Sequence, residues 1–191
     1  MKYKIKDIAS LSSGIYSKPE LPADTLYLQS VHFNESGNLI PYLKPQINSK
    51  GKNKKYLLKK DDILFAAKGT NNFGVVYNTE YGLSVASSSF IVLQINQQYK
   101  EIIAPSYLAW FLSFTDAFIQ HHQKQLGTTI PSISIKKLGE VEIDIPDLDT
   151  QKRIVKVQQL RYREKEIIRK LEAARDQWLQ HTLNNAVKFK T

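Results

Sequence analysis

Residues 140–145 alternate between acidic and aliphatic side chains, and this period of two predicts a strand with one buried and one solvated face. Pro146 ends the pattern, since proline cannot donate the backbone hydrogen bond that a central strand requires. From Asp147 to Thr191 the chain contains neither glycine nor proline. That run of 45 residues predicts one long helix, which begins at Asp147 or Asp149 because either carboxylate can accept the first exposed amide N–H groups.

Apolar residues recur along this helix at spacings of three and four, the a/d pattern of helices that pack in pairs or bundles. The predicted contact residues are Val157, Leu160, Ile167, Ile168, Leu171 and Trp178. Glu164 and His181 interrupt the pattern, and the remaining surface is mostly polar. Such a helix cannot bury its apolar stripe by itself, so it requires a partner. The helix also carries apolar residues that cannot all point in one direction, which predicts contact with more than one neighbour; they are Ile154, Ile168, Leu171 and Trp178.

The chain before Pro146 combines short apolar runs with an amphipathic helix. The runs with the length and composition of strands are Thr25–Phe33, Ile63–Ala67, Gly74–Asn78 and Phe90–Ile95. Residues 83–89 are small and polar. Pro105 suits the first turn of a helix that carries Leu108 and Leu112 on its apolar side. The pattern predicts a mixed α/β domain over residues 1–146, followed by a helical segment over residues 147–191.

Length and composition favour a protein of the cytoplasm. One compact domain with an appendage accounts for 191 residues, and 42% hydrophobic residues suffice for a core. No apolar run approaches the roughly 18 residues of a membrane span. The basic start lacks the apolar stretch of a signal peptide. The chain contains no cysteine, which excludes a disulfide framework and a thiolate zinc site.

The net charge of +9 favours a polyanionic partner, but its distribution says more than its size. Residues 147–191 hold 11 Lys/Arg against 6 Asp/Glu, and residues 44–60 hold seven lysines and no acid. Within the second stretch, residues 51–53 (Gly-Lys-Asn) predict an exposed loop. A block of this kind is either a solvated loop or a contact for phosphate groups.

Sequence motifs of catalysis are missing. The chain has no Gly-rich loop after a first strand to hold a methyl donor, no Asn/Asp-Pro-Pro-aromatic motif to grip a flipped base, and no P-loop. Asp61 and Asp62 fit a turn before a strand better than a nuclease site, since no Asp/Glu-x-Lys motif follows them. His121 and His122 are adjacent and diverge on a helix, which makes them poor metal ligands. We therefore predict no catalytic residue and no metal site.

Two polar loops contain the residue types that read DNA. Sequence discrimination needs amide, hydroxyl and basic side chains that reach a groove, together with other groups that hold phosphates. Residues 68–72 follow a buried strand, which would hold their donors at the rim of the domain. Residues 123–129 precede the last strand and add glutamine, lysine and hydroxyl groups. Each loop alone is more typical of an ordinary surface turn.

Five segments follow one another along the chain: a strand with a basic loop, a Pro-led helix, a short polar loop, a strand that ends Ile-x-Ile-Pro, and a helix start that contains glutamine. They are Asp61–Thr70, Ile103–Leu112, Gly127–Ser132, Glu142–Pro146 and Leu148–Ile154. In this order they resemble the target-recognition domain of the specificity subunit of type I restriction-modification systems. Lys68 stands where that family commonly has arginine.

The resemblance implies an α+β fold, with a mixed-sheet target-recognition domain followed by a spacer helix, and a DNA-binding subunit that is not an enzyme. Family subunits usually carry two recognition domains and two helices, whereas this chain has one of each, which implies a half-length subunit or a fragment. The implied partners are double-stranded DNA, methyltransferase subunits that use S-adenosylmethionine, and motor-nuclease subunits that use ATP and Mg²⁺. This chain would bind none of those cofactors.

The resemblance also favours DNA contact over the alternative of a solvated loop for these lysines and polar loops. Phosphate contacts are then expected from Lys50, Lys52, Lys54 and Lys55. The loop residues expected at the DNA are Lys68, Thr70, Asn71, Asn72, Lys124, Gln125, Thr128 and Thr129.

A two-fold homodimer would supply both the missing recognition domain and a partner for the helix. By resemblance to the two-helix spacer of full-length subunits, the helices would pair antiparallel as a coiled coil, and the dimer would read a split palindromic site. Two rival hypotheses remain open. One is a DNA-targeting module for an unrelated effector, and the other is an enzyme with an unrecognised site.

Overall fold

The computed structural model describes residues 1–34, 37–40, 42–69, 72–114 and 132–188. Its strands are β1 (Lys2–Lys4), β2 (Ala9–Ser13), β3 (Leu26–Leu28), β4 (Ile63–Ala66), β5 (Gly74–Val76), β6 (Ser84–Ala86), β7 (Phe90–Ile95) and β8 (Glu142–Asp144). Its α-helices are α1 (Ile5–Ile8), α2 (Pro105–Phe114), α3 (Ile135–Gly139) and α4 (Leu148–Lys188). Short 3-10 helices lie at Ser30–His32, Gly51–Tyr56, Thr79–Tyr81 and Gln97–Tyr99. These elements confirm the predicted α+β class.

A four-stranded antiparallel sheet with the order β2-β7-β4-β5 separates two hydrophobic cores. Alternate residues of a strand face opposite sides, so β4 serves both cores. Ile63 and Phe65 pack with residues of α1 and α2, whereas Leu64 and Ala66 pack with residues of β3 and β6. Because both faces of the sheet are buried, the short apolar runs correctly predicted buried strands.

Helix α2 packs closely against the edge strand β5. Leu108 and Leu112, the predicted apolar side of the helix, are fully buried. The close approach requires glycine in the strand, because a Cβ atom at Gly74 would lie 2.5 Å from the carbonyl oxygen of Ala109. The Gly74 N–H also donates to the Ser113 hydroxyl at 3.0 Å.

A parallel pair of short strands, β3 and β6, covers the second core, with Leu28 opposite Ala86. Sequence analysis left residues 83–89 as a small polar segment, but Ser84–Ala86 is a buried strand. Its pairing partner is distant in the sequence, and small side chains give no periodic signal. The predicted strand Thr25–Phe33 is correct only for Leu26–Leu28, since Ser30–His32 turns into a 3-10 helix.

The N-terminal strand β1 pairs antiparallel with β8, the strand predicted from the acidic-aliphatic alternation. Ile143 and Ile145 are buried, and Glu142 and Asp144 are exposed, as predicted. Just before β8, the Glu140 carboxylate bridges the ammonium groups of Lys4 at 2.8 Å and Lys6 at 2.6 Å. The hydrogen bonds from these lysines lower the pKa of Glu140 to about 2.

Replacing Glu140 with glutamine should therefore give a loss of stability that depends on pH. A carboxyl group whose pKa is lower in the folded state contributes stability above its unfolded pKa of 4.5, and loses it as the pH falls toward about 2. The difference in urea midpoint between wild type and Glu140→Gln should be present at pH 7 and should shrink below pH 4.5. It should be small and sensitive to salt, because the pair is exposed. A difference that persists unchanged at pH 2 would contradict the assignment.

Helix α4 begins as predicted, and Asp147 rather than Asp149 caps it. The Asp147 carboxylate accepts the Thr150 N–H at 2.9 Å and the Thr150 hydroxyl at 2.7 Å. These bonds, the hydroxyl first, lower the pKa of Asp147. One turn later, Gln151 is fully buried. Its amide oxygen accepts the Ala104 N–H at 2.9 Å, and its amide nitrogen donates to the carbonyl oxygens of Ile102 and Pro146.

The chain divides into two compact units, Met1–Val155 and Lys156–Thr191. The predicted boundary at Pro146 is the start of α4, and the first eight residues of that helix (148–155) belong to the first unit. Ile154 and Val155 pack against the first core, so Ile154 serves its own domain and not the neighbour that the sequence predicted for it. Among the described residues, no helix is long and apolar enough to cross a membrane.

Candidate nucleic-acid interface

The lysine-rich stretch of residues 44–60 is folded. Gly51–Tyr56 forms a 3-10 helix, in which Asn53 is only 3% exposed. The Asn53 amide donates to a carboxylate oxygen of Glu20 at 3.2 Å and to the carbonyl oxygen of Asn48 at 2.8 Å. Gly51 is exposed as predicted, but the prediction of an exposed loop was wrong for Asn53, because its side chain satisfies its hydrogen bonds inside the protein.

Asp24 holds the same stretch at Ser49, just before the 3-10 helix. Its carboxylate accepts the Ser49 hydroxyl at 2.6 Å and the Ser49 N–H at 2.7 Å, and also accepts the Thr25 hydroxyl at 2.7 Å. These bonds, the Ser49 hydroxyl first, hold the pKa of Asp24 below its usual range. The stretch therefore carries its lysines on a fixed backbone.

The lysines of this stretch are exposed to solvent at positions 50, 54 and 55. The Lys55 ammonium lies 4.9 Å from the centroid of the Tyr56 ring. Lys52 has its backbone in the 3-10 helix, but its side chain lies outside the described part of the structure. Exposed ammonium groups on a fixed backbone suit phosphate contact. That assignment stays a prediction.

Loops from four parts of the chain meet where β4 ends and β7 begins, and we call residues 30–32, 68–69, 87–89 and 132 the sheet-end rim. The Ala67 N–H donates to the Ser89 carbonyl oxygen at 2.9 Å, and the Ser30 N–H donates to the Ser89 hydroxyl at 3.4 Å. On the other side, Lys68 forms an antiparallel bridge with Ser132. The rim thus gathers hydroxyl and basic groups at one end of the sheet.

Lys68, the first residue of the predicted recognition loop, is exposed on this rim, and Gly69 follows with a φ of 105°. The position of Asn72 differs from the predicted position at the DNA. It is 7% exposed, and its amide donates to the Ala66 carbonyl oxygen at 2.6 Å. A buried amide that is already hydrogen-bonded is a poor group for reading a base, so the structure gives Asn72 a supporting role for the loop.

The remaining loop predictions concern residues outside the described part of the chain. They are Thr70, Asn71, Lys124, Gln125, Thr128 and Thr129. Ser132, which bridges Lys68 on the rim, is the first described residue after the second loop.

Two parts of the rim were not predicted from the sequence. Residues 87–89 belong to the segment described only as small and polar, and residues 30–32 to a predicted strand. His32 accepts the Gln29 N–H on Nδ1 at 3.2 Å, and burial lowers the pKa of its imidazole. The neutral ring then carries its proton on Nε2, which makes it a donor. No local pattern marks these residues, because the pairing of β3 with β6 brings them to the rim.

The carboxylates weighed as nuclease ligands serve the fold. Asp61 has a φ of 69° and lies in the turn before β4, as the sequence predicted. Asp62 is 4% exposed and accepts the Lys59 N–H and the Gln94 amide, both at 2.9 Å. Within the described residues, no group of three or more histidine, aspartate or glutamate side chains could hold a metal ion.

The predicted contact residues of α4 are all solvent-exposed in the single chain. The exposed fractions lie between 46% and 67% for Val157, Leu160, Ile167, Ile168, Leu171 and Trp178. The second unit, Lys156–Thr191, therefore has an apolar stripe that the described part of the chain does not bury. Leaving such a stripe in water is unfavourable, and this supports the prediction that the helix has a partner.

The chain belongs to the family of type I restriction modification DNA specificity domains, whose model matches residues 1–173. The family resemblance predicted from the five motifs is thereby confirmed. The chain carries a DNA-recognition domain of the specificity component of these systems. That component is not the catalytic one, so the prediction of a non-catalytic chain is confirmed by the family.

The chain is also similar to the specificity subunit of the type I restriction enzyme MjaVIII from Methanocaldococcus jannaschii. The two are 30% identical over 105 residues, which cover 55% of this chain and 23% of the relative. The matched stretch therefore covers less than a quarter of the length of that subunit.

Solved structures share the fold. The HsdS subunit from Thermoanaerobacter tengcongensis aligns with a TM-score of 0.58 at 15% identity, over 86% of this chain and 37% of the subunit. The type I restriction-modification S subunit from M. genitalium aligns with a TM-score of 0.55 at 15% identity, over 92% of this chain and 43% of that subunit. These likenesses establish the fold, and what the solved subunits bind is not carried over by them.

Proposed function

We propose that this chain is the specificity component of a type I restriction-modification complex and works as a two-fold homodimer that reads a split palindromic DNA site. The observation that carries the proposal is the combination of one specificity domain with one helix whose apolar stripe its own chain leaves exposed. A second copy supplies both the partner for the stripe and a second recognition domain. Because the two copies are identical, the half-sites are inverted repeats on either side of a nonspecific spacer.

The catalytic functions belong to partners in this proposal. Methyltransferase subunits bring S-adenosylmethionine, and motor-nuclease subunits bring ATP and Mg²⁺, while this chain holds no cofactor of its own. The dimer acts in the cytoplasm on double-stranded DNA. Apolar residues of α4 that the second helix does not cover dock the methyltransferase.

Selection of duplexes from a randomised pool tests the proposal directly. The purified chain should enrich two short inverted half-sites at a fixed separation, both alone and with its methyltransferase. A single asymmetric site would contradict the symmetric dimer. A split site that is bound without any methyltransferase partner in the source cell would favour the alternative, a DNA-targeting module for an unrelated effector.

Two kinds of DNA contact follow from the positions of the candidate residues. Lys50, Lys54 and Lys55 stand on the fixed lysine-rich stretch and hold phosphates. Lys68 stands on the sheet-end rim, together with hydroxyl groups that can reach base edges. Phosphate contacts contribute to binding of all sequences, whereas base contacts contribute only on the cognate site.

Changing Lys54 or Lys55 to alanine should weaken binding to cognate and scrambled duplexes alike. Each phosphate contact releases about one counterion, so the slope of log K against log salt should fall by roughly one unit for each lysine removed. Titrations at four or more salt concentrations measure the slope. Lys100→Ala is the matched control, since this exposed lysine lies outside the stretch. If all the lysine variants keep the wild-type slope, the stretch does not contact phosphates.

A further inference from the structure

A cleft of about 140 Å³ opens between the lysine-rich stretch and the edge of the central sheet. Its lining includes Ser12 and Ser13 at the end of β2, the lysines Lys55 and Lys59, and Gln94 of β7. We call it the Gln94 cleft. The described residues of the first polar loop, Lys68, Gly69 and Asn72, do not line it.

Gln94 is the only exposed residue of β7, whose other five residues are buried. Its amide nitrogen donates to Asp62 at 2.9 Å, and this bond fixes which end of the amide faces the protein. The amide keeps its oxygen and a second N–H, an acceptor and a donor of the kind that match the N6 and N7 edge of adenine.

Asp62 is a positioning residue for this amide. It is almost completely buried, and one of its carboxylate oxygens is held by the Lys59 N–H at 2.9 Å while the other accepts from Gln94. Burial raises the pKa of Asp62, which marks the cost of keeping a carboxylate there. An ionised carboxylate only accepts hydrogen bonds, so it holds the donor end of the amide toward itself.

The charges around the cleft favour a nucleic acid. Lys55 and Lys59 line it, and Asp62 is the single acid among the lining residues. Lys55 belongs to the group already expected to hold phosphates. One cleft thus combines a fixed amide for a base edge with ammonium and hydroxyl groups for the neighbouring backbone.

We propose that the Gln94 cleft is a second DNA contact of this domain and that Gln94 determines specificity there by reading an adenine edge. This inference rests on the proposed DNA-binding function, and it adds to that function a base contact by Gln94, a residue outside the predicted recognition loops.

Two substitutions test the inference against a matched control. Gln94→Met keeps the length of the side chain and removes the amide, and Gln94→Ala removes both. Gln98→Ala is the control, because this glutamine is equally exposed and lies outside the cleft. On the duplex that the wild-type chain selects, both Gln94 variants should bind about 5- to 150-fold more weakly, the range of one bidentate base contact. Binding to scrambled duplex should stay within about two-fold of wild type.

A modified base gives a second readout on the wild-type chain itself. Replacing each adenine of the half-site by 7-deaza-adenine removes its N7 acceptor, and one such position should weaken wild-type binding while Gln94→Met ignores it. Equal binding of all variants to the selected site, or no sensitive adenine, would overturn the inference alone. A wild-type chain that does not discriminate between selected and scrambled duplexes would overturn the proposed function as well.

Discussion

Changing Leu171 and Trp178 together to alanine should convert the proposed dimer into a monomer at micromolar concentration. The two residues are seven apart on α4, so they lie on the same side of the helix. They are 48% and 67% exposed in the single chain, so their truncation leaves the packing of the recognition domain intact. Removing an interface anchor costs about 1–4 kcal/mol, and each change occurs twice in a two-fold dimer. The dissociation constant should rise at least about 100-fold.

Sedimentation equilibrium over a range of protein concentrations measures this change. The control is Gln177→Ala with Gln180→Ala, two exposed residues on the opposite side of the helix, and it should keep the wild-type constant. Thermal unfolding of the recognition domain should be the same in all three proteins. If the Leu171 and Trp178 double variant dimerises with the wild-type dissociation constant, the apolar stripe is not the dimer interface. The same variant should also bind methyltransferase subunits more weakly.

The sequence predicts well those elements whose signals are local. The alternation of residues 140–145, the break at Pro146 and the cap at Asp147 are each read within a few residues, and all three are present. The length of α4 follows from the absence of glycine and proline in the same way. Apolar runs such as Ile63–Ala67 are likewise identifiable, because both faces of the central sheet are buried.

Elements that depend on distant partners are poorly predicted. Strand β6 consists of Ser84, Val85 and Ala86, and only its pairing with β3 makes it a strand. Asn53 and Asn72 have the composition of loop residues, yet both are buried and hydrogen-bonded: Asn53 donates to Glu20 and Asn48, and Asn72 donates to Ala66. No sequence pattern indicates these bonds. Polar type alone therefore overestimates exposure.

The candidate site is predictable as a set of segments but not as an arrangement. The lysine-rich stretch and Lys68 carry a compositional signal, since lysines cluster in one place and a basic residue follows a buried strand. Nothing in the sequence indicates that Ser89 and Ser30 join Lys68 at one end of the sheet. Gln94 gives no signal either, as a single polar residue in an apolar strand is also typical of a solvated edge. Its significance depends on the bond to Asp62, which lies 32 residues earlier.

Deleting residues 164–170 should shorten the spacer of the DNA site and leave the half-site bases unchanged. α4 has 41 residues and spans roughly 60 Å at 1.5 Å per residue, and in an antiparallel pair this length separates the two recognition domains. The deletion places Leu171 at the position of Glu164, so the apolar stripe continues with a rotation of only about 20°. Seven residues fewer bring the domains about 10 Å closer, which corresponds to about three base pairs at 3.4 Å each.

The deletion should also lower the affinity for the preferred site. Removing three base pairs rotates one half-site by about 100° around the DNA axis, whereas the deletion rotates the recognition domain by only about 20°. The two no longer match, so the shortened dimer should bind its best site more weakly than wild type binds its own. Selection from pools with randomised half-sites and variable spacers measures both effects. Duplicating residues 164–170 is the matched control and should lengthen the spacer by a similar amount. If wild type, deletion and duplication all select one spacer, α4 does not set the distance between half-sites; if the half-site bases change instead, the helix contributes to base recognition.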